Sequence, residues 1–404
     1  MKTVIVIGGG AAGMMAALTA AENKENRVLL LERQQRVGRK LLATGNGRCN
    51  LTNTGASPDK YHGEAPDFVR PALEMLSAQD ALALFRSFGL LTVTEAGGRV
   101  YPLSDAAGSV LDVLRFQLMQ RGVDLRCSCT VRQLRREKTG FAVVTEAGET
   151  LRADALIVAC GGMAGEKLGG VADGYQLLKM LGHRRTALYP ALVQLSTDTD
   201  YPRALKGVRA DAALTLRRGE RVLGSACGEL QFTERGVSGP AAFDLSRLVA
   251  TGGEGLSLHI DLLRDYSHEE LLHMLRARQE KLPDLETAEL LTGLVQNRLG
   301  KMLLRYASVE QKGFVRDLSD QQLRRAVDAC KSFVLKLHGT EGFDKAQVTA
   351  GGVRTADFDP ETLQSRLVPG LYACGEVLDI DGDCGGYNLQ WAWASGRLAG
   401  RLLP

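Results

Sequence analysis

Four residues near the start of the chain have the types and spacing needed to bind a dinucleotide. Gly8, Gly10 and Gly13 fit the pattern G-x-G-x-x-G, and Glu32 follows 19 residues after Gly13. The first glycine of such a motif allows a tight turn, the second lets the backbone approach a pyrophosphate, and the third lets a helix pack closely on a strand. A carboxylate at Glu32 accepts hydrogen bonds from ribose hydroxyls and repels a 2′-phosphate. Together these residues predict a dinucleotide site.

The elements that must position these residues are also visible in the sequence. Val4–Ile7 is a continuous apolar run, typical of a strand buried on both faces. The helix formers of Met14–Glu22 follow the glycines, and a second apolar run, Val28–Leu31, leads directly into Glu32. This order of strand, turn, helix, strand and acid separates a nucleotide motif from a glycine-rich turn. A helix beginning after the turn offers free N–H groups and a positive dipole end to phosphates.

The uncharged stretch at residues 4–21 has a second interpretation, a signal peptide or membrane helix. Four glycines within it argue against a stable membrane helix. Lys2 is the one basic residue before it, which is little positive charge for the start of a signal peptide. We therefore reject this interpretation and expect neither a membrane segment nor membrane binding.

Length and composition narrow the class of protein further. At 404 residues the chain is long enough for two or three domains, and its net charge of +3 gives no support for nucleic acid as the main partner. The cysteines show no disulfide framework and no zinc spacing, so we expect reduced thiols and a cytoplasmic location. The histidines are scattered, and no metal site is predicted.

A loop rich in Gly and Asn follows the first motif, from Val37 to Asn53. Arg39, Lys40 and Arg48 place positive charge there, beside the predicted phosphates. The loop either covers the cofactor and lines the reaction site, or is a solvated turn with incidental cations. Beyond it, Ser77 and Ser104 are predicted helix N-caps.

The predicted secondary structure changes twice in the centre of the chain, first to a β-rich segment and then to a helical one. Segments 123–129, 130–135, 141–146 and 150–152 are predicted strands of a small meander, and Ala155–Cys160 is a buried strand that ends in Gly161 and Gly162. A backbone can approach a cofactor at such a glycine pair. We predict an FAD-type domain from residues 1–190 and 346–404, a β-rich insertion at 191–264 and a helical insertion at 265–345. Residues 265–337 show no strand pattern.

A second glycine-rich junction between a strand and a helix, typical of dinucleotide binding, lies near the carboxyl end. The apolar run before Gly375 and Glu376 predicts a strand, and a helix is predicted from about Leu389 to Leu402. A second glycine-rich junction so far from the first suggests that both ends of the chain hold one cofactor. A helix that begins near Asn388 would direct its positive end at a bound group such as an anionic reduced flavin.

These segments together resemble the BaiN/YhiN group of flavoproteins, also described as aminoacetone-oxidase-type FAD-binding enzymes. The resemblance spans nearly the whole chain and is carried by VIVIGGGAAGMMAA (4–17), GRKLLATGNGRCNLTN (38–53), FTERGVSGP (232–240), QVTAGGV (347–353) and GLYACGEVLDIDGDCGGYNLQWAWASGRLAG (370–400). It implies an α/β fold in which a two-part Rossmann-like FAD-binding domain is interrupted by a β-barrel-like and a helical insertion. It also implies FAD, rather than NAD, as the tightly held cofactor.

The motifs and the resemblance together give a set of site residues. Arg48, Asn50, Tyr387 and Asn388 are the candidates for lining the reaction site, with Tyr387 either a proton donor or a structural tyrosine. Val131 is expected to meet the adenine through its backbone. The predicted cofactor-binding residues are Gly8, Gly10, Ala11, Ala12, Gly13, Glu32, Arg33, Gly38, Lys40, Arg48, Val131, Gly161, Gly162, Gly375, Glu376, Asp381, Gly386, Tyr387, Asn388 and Leu389.

The function implied is that of an FAD-dependent oxidoreductase that transfers hydride through flavin N5 between a reductant, NAD(P)H, and a small organic substrate. Reduction of a C=C bond in a bile-acid-like enone is one candidate. No second G-x-G-x-x-G is present, so NAD(P)H is expected to bind transiently. The alternatives are an amine oxidase that produces peroxide and a flavin-bound RNA-modifying protein. Residues 163–172 depart from the family pattern, so the substrate can differ from that of relatives.

Overall fold

The chain divides into two compact units, each described by itself below. The structure, a computed structural model, describes residues 1–403. One unit comprises residues 1–189 and the segment from Ala346 onward, and the other is Pro190–Lys345. The proposed separation of residues 191–345 into a β-rich and a helical insertion remains a prediction.

The strands are short in the first unit and longest in the second. In chain order they are β1 (Lys2–Ile7), β2 (Asn26–Leu31), β3 (Thr52–Asn53), β4 (Tyr61–His62), β5 (Thr92–Thr94), β6 (Arg99–Pro102), β7 (Asp124–Arg126), β8 (Val131–Arg136), β9 (Phe141–Thr145), β10 (Thr150–Ala153), β11 (Ala155–Val158), β12 (Tyr189–Ala191), β13 (Leu195–Thr197), β14 (Arg209–Arg218), β15 (Arg221–Phe232), β16 (Gly236–Ser238), β17 (Leu256–Asp261), β18 (Phe333–Thr340), β19 (Val348–Ala350), β20 (Leu371–Ala373) and β21 (Asp381–Gly382).

The helices include one near each end of the chain, α1 and α12. In chain order they are α1 (Ala11–Ala20), α2 (Arg39–Ala43), α3 (Arg70–Met75), α4 (Ala78–Ser87), α5 (Ala107–Gln120), α6 (Asp173–Met180), α7 (Asp200–Ala204), α8 (Pro240–Gly252), α9 (His268–Lys281), α10 (Asn297–Tyr306), α11 (Asp320–Lys331) and α12 (Tyr387–Gly400). Short 3-10 helices occupy, among other segments, Thr44–Gly47 and Gly375–Val377.

A parallel sheet with the strand order β20-β11-β1-β2-β7 forms the centre of the first unit. Ile7 of β1 pairs with Leu31 of β2 and with Val158 of β11, which in turn pairs with Ala373 of β20. Because all four pairs of neighbours are parallel, the carboxyl ends of the strands meet at one edge. The residues that follow these strands are therefore neighbours, in the crevice where open α/β sheets bind ligands.

The two ends of the chain meet through the first and last helices. A Cβ atom at Gly396 of α12 would lie 2.4 Å from the carbonyl oxygen of Ala12, and one at Gly400 would lie 2.5 Å from that of Ala16. Only glycine permits so close a helix contact at these positions. The carboxyl-terminal helix therefore packs directly on the helix of the first motif.

The second unit is built on a closed barrel with the strand order β13-β16-β15-β14-β17-β18. Leu214, Leu258 and Phe333 are among the fully buried side chains of its core. Together with the Rossmann-like sheet, the barrel confirms the predicted α/β fold class. The expectation that residues 265–337 contain no strand is wrong, because β18 begins at Phe333 and closes the barrel with an alternating pattern of burial.

Two other local expectations are corrected by the structure. Segment 123–129 does not belong to the meander: β7 pairs in parallel with β2, and the meander consists of β8, β9 and β10 alone. Ser104 is not an N-cap, since α5 begins after Ala106. The cap at Ser77 is confirmed, because its hydroxyl accepts from the Asp80 N–H in a capping box.

Candidate functional site

The three glycines of the first motif sit in three different environments. Gly8 has a φ of +107°, and a Cβ atom there would lie 2.4 Å from the carbonyl oxygen of Ala159. At Gly13 a Cβ atom would lie 1.8 Å from the carbonyl oxygen of Gly8, so α1 packs against the turn. At Gly10 a Cβ atom would meet no protein atom within 4 Å. The turn is thus closed by protein at its ends and open at its centre.

Glu32 is buried and holds the glycine turn through its carboxylate. Oε2 accepts from the Gly9 N–H at 2.7 Å, and Oε1 accepts from the Gln34 N–H at 2.7 Å. Each carboxylate oxygen can accept more than one hydrogen bond, so Glu32 can still accept a hydrogen bond from a ribose hydroxyl. The neighbouring Arg33 donates through Nη2 to the carbonyl oxygen of Gly169 at 3.0 Å, which ties it to the segment that departs from the family pattern.

Residues from four segments that are distant in the sequence meet beside the carboxyl ends of β11 and β20. Lys40 Nζ lies 2.8 Å from Glu376 Oε2, and both side chains are partly buried. Glu376 Oε1 accepts from the Thr349 N–H at 2.9 Å, and the Thr349 hydroxyl accepts from the Ala164 N–H at 3.0 Å. A Cβ atom at Gly162 would lie 2.5 Å from Thr349 Oγ1. The fold thus brings Lys40, Gly162 and Glu376 together, as the prediction of one shared site requires.

Other predicted cofactor-binding residues lie around the same edge of the sheet. Gly38 adopts a φ of +71° and donates its N–H to the carbonyl oxygen of Gly9 at 2.9 Å. Gly375 also has positive φ, and a Cβ atom there would lie 2.7 Å from Ala12 Cβ. Val131 begins β8, close to Glu32, because the Cys129 N–H donates to the Glu32 carbonyl oxygen at 2.9 Å.

Arg48 is held by protein groups on several sides. Its Nη2 lies 2.6 Å from Glu95 Oε1, its Nε donates to Asp105, and its guanidinium lies 4.0 Å from the ring centroid of Tyr101. Its hydrogen bonds to the carboxylates of Glu95, the larger effect, and Asp105 raise the pKa of Arg48 above its usual range. Burial raises the pKa of Tyr101 beneath it. With two carboxylates on its guanidinium, Arg48 stabilises this loop, and its contact with cofactor or substrate stays a prediction.

The segment from Asn50 to Asn53 is fixed to α12 and its approach. The Leu51 carbonyl oxygen accepts from Trp393 Nε1 at 2.9 Å, the Thr52 hydroxyl lies 2.7 Å from Gln390 Oε1, and Asn53 Nδ2 donates to the carbonyl oxygen of Gly385 at 2.9 Å. Thr52 and Asn53 are buried. Asn50 differs from its neighbours, since its buried Oδ1 has no hydrogen-bond partner among the described atoms.

Three predicted site residues at or just before the start of α12 contact neighbouring segments. Asn388 accepts from the Gly382 N–H at 2.9 Å and donates to the Gly382 carbonyl oxygen at 2.8 Å. Tyr387 is 9% exposed, and its carbonyl oxygen accepts from the Tyr61 hydroxyl at 3.1 Å. Asp381 is buried and pairs with His62 in the β21–β4 ladder. The carboxamide of Asn388 therefore fixes the loop before the helix.

Sequence reasoning missed two groups of residues at this site. Thr349 lies within the segment QVTAGGV but was not singled out, although its N–H and hydroxyl organise Glu376 and Ala164. His62 Nε2 lies 2.7 Å from Asp383 Oδ1, beside the start of α12. A lone histidine in the sequence gives no signal of this pair, because the pairing depends on the contact between β4 and β21.

The arrangement of these site residues fits an FAD cofactor at the positions predicted from the sequence motifs. The open space at Gly10 suits a pyrophosphate, because the backbone can approach it there without a side chain in the way. Gly386 has positive φ and lies at the N-terminus of α12, where N–H groups of the first turn have no intrahelical acceptor. The unpartnered Asn50 Oδ1 is an acceptor on this side of the site.

The fold and site together define a Rossmann-type flavoprotein, and comparison with known proteins identifies its family. Residues 2–402 match the family model described as HI0933-like protein Rossmann domain. The chain belongs to this family and is an FAD-dependent oxidoreductase. Among residues 1–403, no helix is long and apolar enough to cross a membrane.

Three curated relatives align with nearly the full chain. The 3-dehydro-bile acid delta(4,6)-reductase of Clostridium scindens is 40% identical over 377 residues, which cover 93% of this chain and 92% of the relative. The ribosomal RNA dihydrouridine synthase of Escherichia coli is 31% identical, and that of Haemophilus influenzae is 30% identical. Each of these two alignments covers 91% of this chain and 90% of the relative. The resemblance inferred from the sequence motifs is confirmed.

Proposed function

We propose that the protein reduces a C=C bond conjugated to a ketone in a steroid-like small molecule, with FAD as cofactor and NAD(P)H as electron donor. One observation carries the proposal: the 40% identity to a 3-dehydro-bile acid delta(4,6)-reductase extends over 93% of the chain. The names of the other relatives describe the same reaction class, since dihydrouridine forms when hydrogen adds across a C=C bond of uridine. Reduction of a ring C=C bond is thus common to relatives with different substrates.

In this proposal, bound FAD supplies the hydride through flavin N5, and the chain supplies binding, orientation and a proton. Gly10 and the first turn of α1 would hold the pyrophosphate, Glu32 would hold a ribose, and residues at the start of α12 would contact the flavin ring. Asn388 acts by fixing the loop at Gly382, to which its carboxamide is bonded. Arg48 keeps the loop before Asn50 in place through Glu95 and Asp105.

The proton for the second carbon of the C=C bond is assigned to the titratable side chains around the start of α12. Tyr387 is the candidate from the sequence, and His62 with Asp383 is the candidate from the structure. Asp383 Oδ1 lies 2.7 Å from His62 Nε2 and so orients the imidazole, which is a side chain of the type that most often transfers protons in general acid catalysis. Asp383 is then a positioning residue for His62.

The proposal is tested by steady-state turnover without oxygen. FAD-loaded protein is mixed with NADH or NADPH and a 3-oxo bile acid that has C=C bonds at C4 and C6, and products are followed by mass spectrometry. We expect nicotinamide oxidation and a steroid that has gained two hydrogen atoms. Nicotinamide oxidation without a reduced steroid contradicts the substrate assignment, and a flavin that no nicotinamide reduces contradicts the electron donor.

A second candidate is reduction of uridine in RNA, favoured by the alignment with the two dihydrouridine synthases. The net charge of +3 argues against RNA as a main partner, because RNA binding draws on a large excess of basic residues. The same assay with ribosomal RNA transcripts as acceptor separates the two candidates, since dihydrouridine in the digested RNA would favour this one. Peroxide formed in air with amines as reductants would favour the amine oxidase alternative.

A further inference from the structure

The side-chain oxygen of Asn50 is an acceptor without a donor. Asn50 Oδ1 is buried, and no described atom hydrogen-bonds to it. A buried polar atom without a partner destabilises the folded protein, and nearly all such atoms in native proteins have one. The missing donor must therefore come from a molecule outside the chain, a ligand or water.

The backbone around Asn50 is held in an uncommon conformation. Cys49, directly before it, is fully buried and has a φ of +62°, a region that residues other than glycine seldom adopt. Burial raises the pKa of the Cys49 thiol to about 12, so this residue is a neutral packing group and not a nucleophile. After it, Leu51 is fixed from two sides, by its N–H to Val100 and its carbonyl oxygen to Trp393. A strained turn between fixed contacts is typical of a functional position.

The oxygen lies beside the N-terminus of α12. A Cβ atom at Gly386, the residue before this helix, would lie 2.8 Å from Asn50 Oδ1 and 2.5 Å from the Thr52 carbonyl oxygen. The absence of a side chain at Gly386, where φ is +102°, is what leaves room for the Asn50 carboxamide. An acceptor, Asn50 Oδ1, is thus close to the donor N–H groups that begin a helix.

A ligand that bonds both to Asn50 Oδ1 and to the N–H groups at the start of α12 must present a hydrogen-bond donor with an acceptor, such as a carbonyl group, beside it. The pyrimidine edge of the flavin ring has this order, since N3–H lies between the C2 and C4 carbonyl groups. We propose that Asn50 Oδ1 accepts the N3–H of the flavin and that the start of α12 faces a carbonyl group of the same edge. The inference depends on the FAD cofactor of the family and not on the proposed substrate.

A double-mutant cycle between the protein and the cofactor tests this assignment. The protein is stripped of flavin, and dissociation constants are measured for FAD and for N3-methyl-FAD, which lacks the donor. Wild-type protein should bind FAD at least about tenfold more tightly than the methylated analogue, and Asn50→Ala should lose most of this preference. Asn46→Gly is the matched control, because Asn46 is an exposed asparagine of the same loop with positive φ, and it should keep the wild-type preference.

A measurement on the wild-type protein covers the case in which Asn50→Ala does not fold. In the holoprotein loaded with ¹⁵N-labelled FAD, the N3 proton should give a signal that exchanges with water more slowly than in free FAD. A preference for FAD that Asn50→Ala leaves unchanged, or an N3 proton that exchanges as fast as in free FAD, would overturn the assignment. Neither measurement involves turnover, so an error in the proposed substrate does not affect the result.

Discussion

At the residue scale, the glycines of the first motif differ in role: Gly13 allows close packing within the protein, and Gly10 leaves space for a ligand. A side chain at Gly13 would collide with the Gly8 carbonyl oxygen at 1.8 Å, whereas one at Gly10 would meet no protein atom within 4 Å. The sequence motif assigns both glycines to one site, and the structure adds a physical difference between them. The space at Gly10 is therefore expected to matter only when FAD is bound.

Two alanine variants test this difference. Gly10→Ala should leave the unfolding temperature of the flavin-free protein nearly unchanged and weaken FAD binding about tenfold, because the new methyl group enters the pyrophosphate space. Gly13→Ala should lower the unfolding temperature of the flavin-free protein, because the turn or α1 must move. Thermal unfolding and flavin fluorescence titration measure the two effects. Equal unfolding temperatures for the two variants would contradict this interpretation.

The assignment of the proton source to His62 also belongs to the residue scale. His62→Gln should slow reoxidation of reduced enzyme by the enone about 100-fold, the range of general acid catalysis, and leave both FAD affinity and reduction by NAD(P)H unchanged. Rapid-mixing spectroscopy resolves the two half-reactions. His338→Gln is the matched control, because His338 forms a comparable pair with Asp198 at 2.6 Å in the other unit. Similar reoxidation rates in both variants would exclude His62, and Tyr387→Phe would then be the next variant to measure.

At the element scale, short and uniformly buried strands could be predicted from the sequence. The pairing partners of other strands, and strands that directly follow a helix, could not. β1, β11 and β20 are short apolar runs that end at glycine-containing segments, and the structure confirms them. The segment that forms β7 also looked like a strand, but its partner is β2, and nothing local indicates a long-range pairing. β18 follows α11 after a single residue, Ser332, so its alternating pattern was hidden behind a helical segment.

The contact between β3 and α12 could not be predicted either, although it positions the segment that contains Asn50. The Thr52 hydroxyl donates to Gln390 Oε1 at 2.7 Å, and Gln390 Nε2 donates to the Leu76 carbonyl oxygen at 2.7 Å. All of this network is buried. A polar side chain in the sequence does not reveal a partner more than three hundred residues away.

Removal of one hydroxyl tests the contribution of this network. Thr52→Val leaves Gln390 Oε1 buried without a donor, so the free energy of unfolding should fall by about 1–3 kcal/mol. FAD affinity should fall as well, since Asn50 loses part of its support. Thr54→Val makes the same chemical change at an exposed position two residues away and should have little effect on either quantity. Denaturant titrations with equal losses for both variants would show that the network contributes nothing.

At the scale of the whole molecule, the sequence places the cofactor site at the two ends of the chain, and these ends form one compact unit. The site residues that the structure brings together all belong to this unit. The roles of single side chains were less predictable, because Arg48 and Glu32 have partners, Glu95 and Gly9, that only the fold brings near. The second unit has its own core and a closed barrel, in agreement with the β-barrel-like insertion that the family resemblance implies.

The separate core of the second unit leads to a prediction about folding. A fragment of residues 190–345 should fold alone, with a cooperative thermal transition and no uptake of FAD, because its barrel and its core are formed within these residues. Circular dichroism and analytical gel filtration would measure this. A fragment without a cooperative transition would mean that the unit depends on residues outside this range.

The most direct measurement for the account as a whole is a single turnover of the chemically reduced protein. Dithionite-reduced holoprotein, freed of excess reductant and kept without oxygen, is mixed with the 3-oxo bile acid, and the flavin absorbance is followed. The account predicts that the oxidised flavin bands return and that the steroid gains two hydrogen atoms per flavin. Bands that stay bleached with the steroid, yet return with oxygen and release peroxide, would contradict it and favour an oxidase.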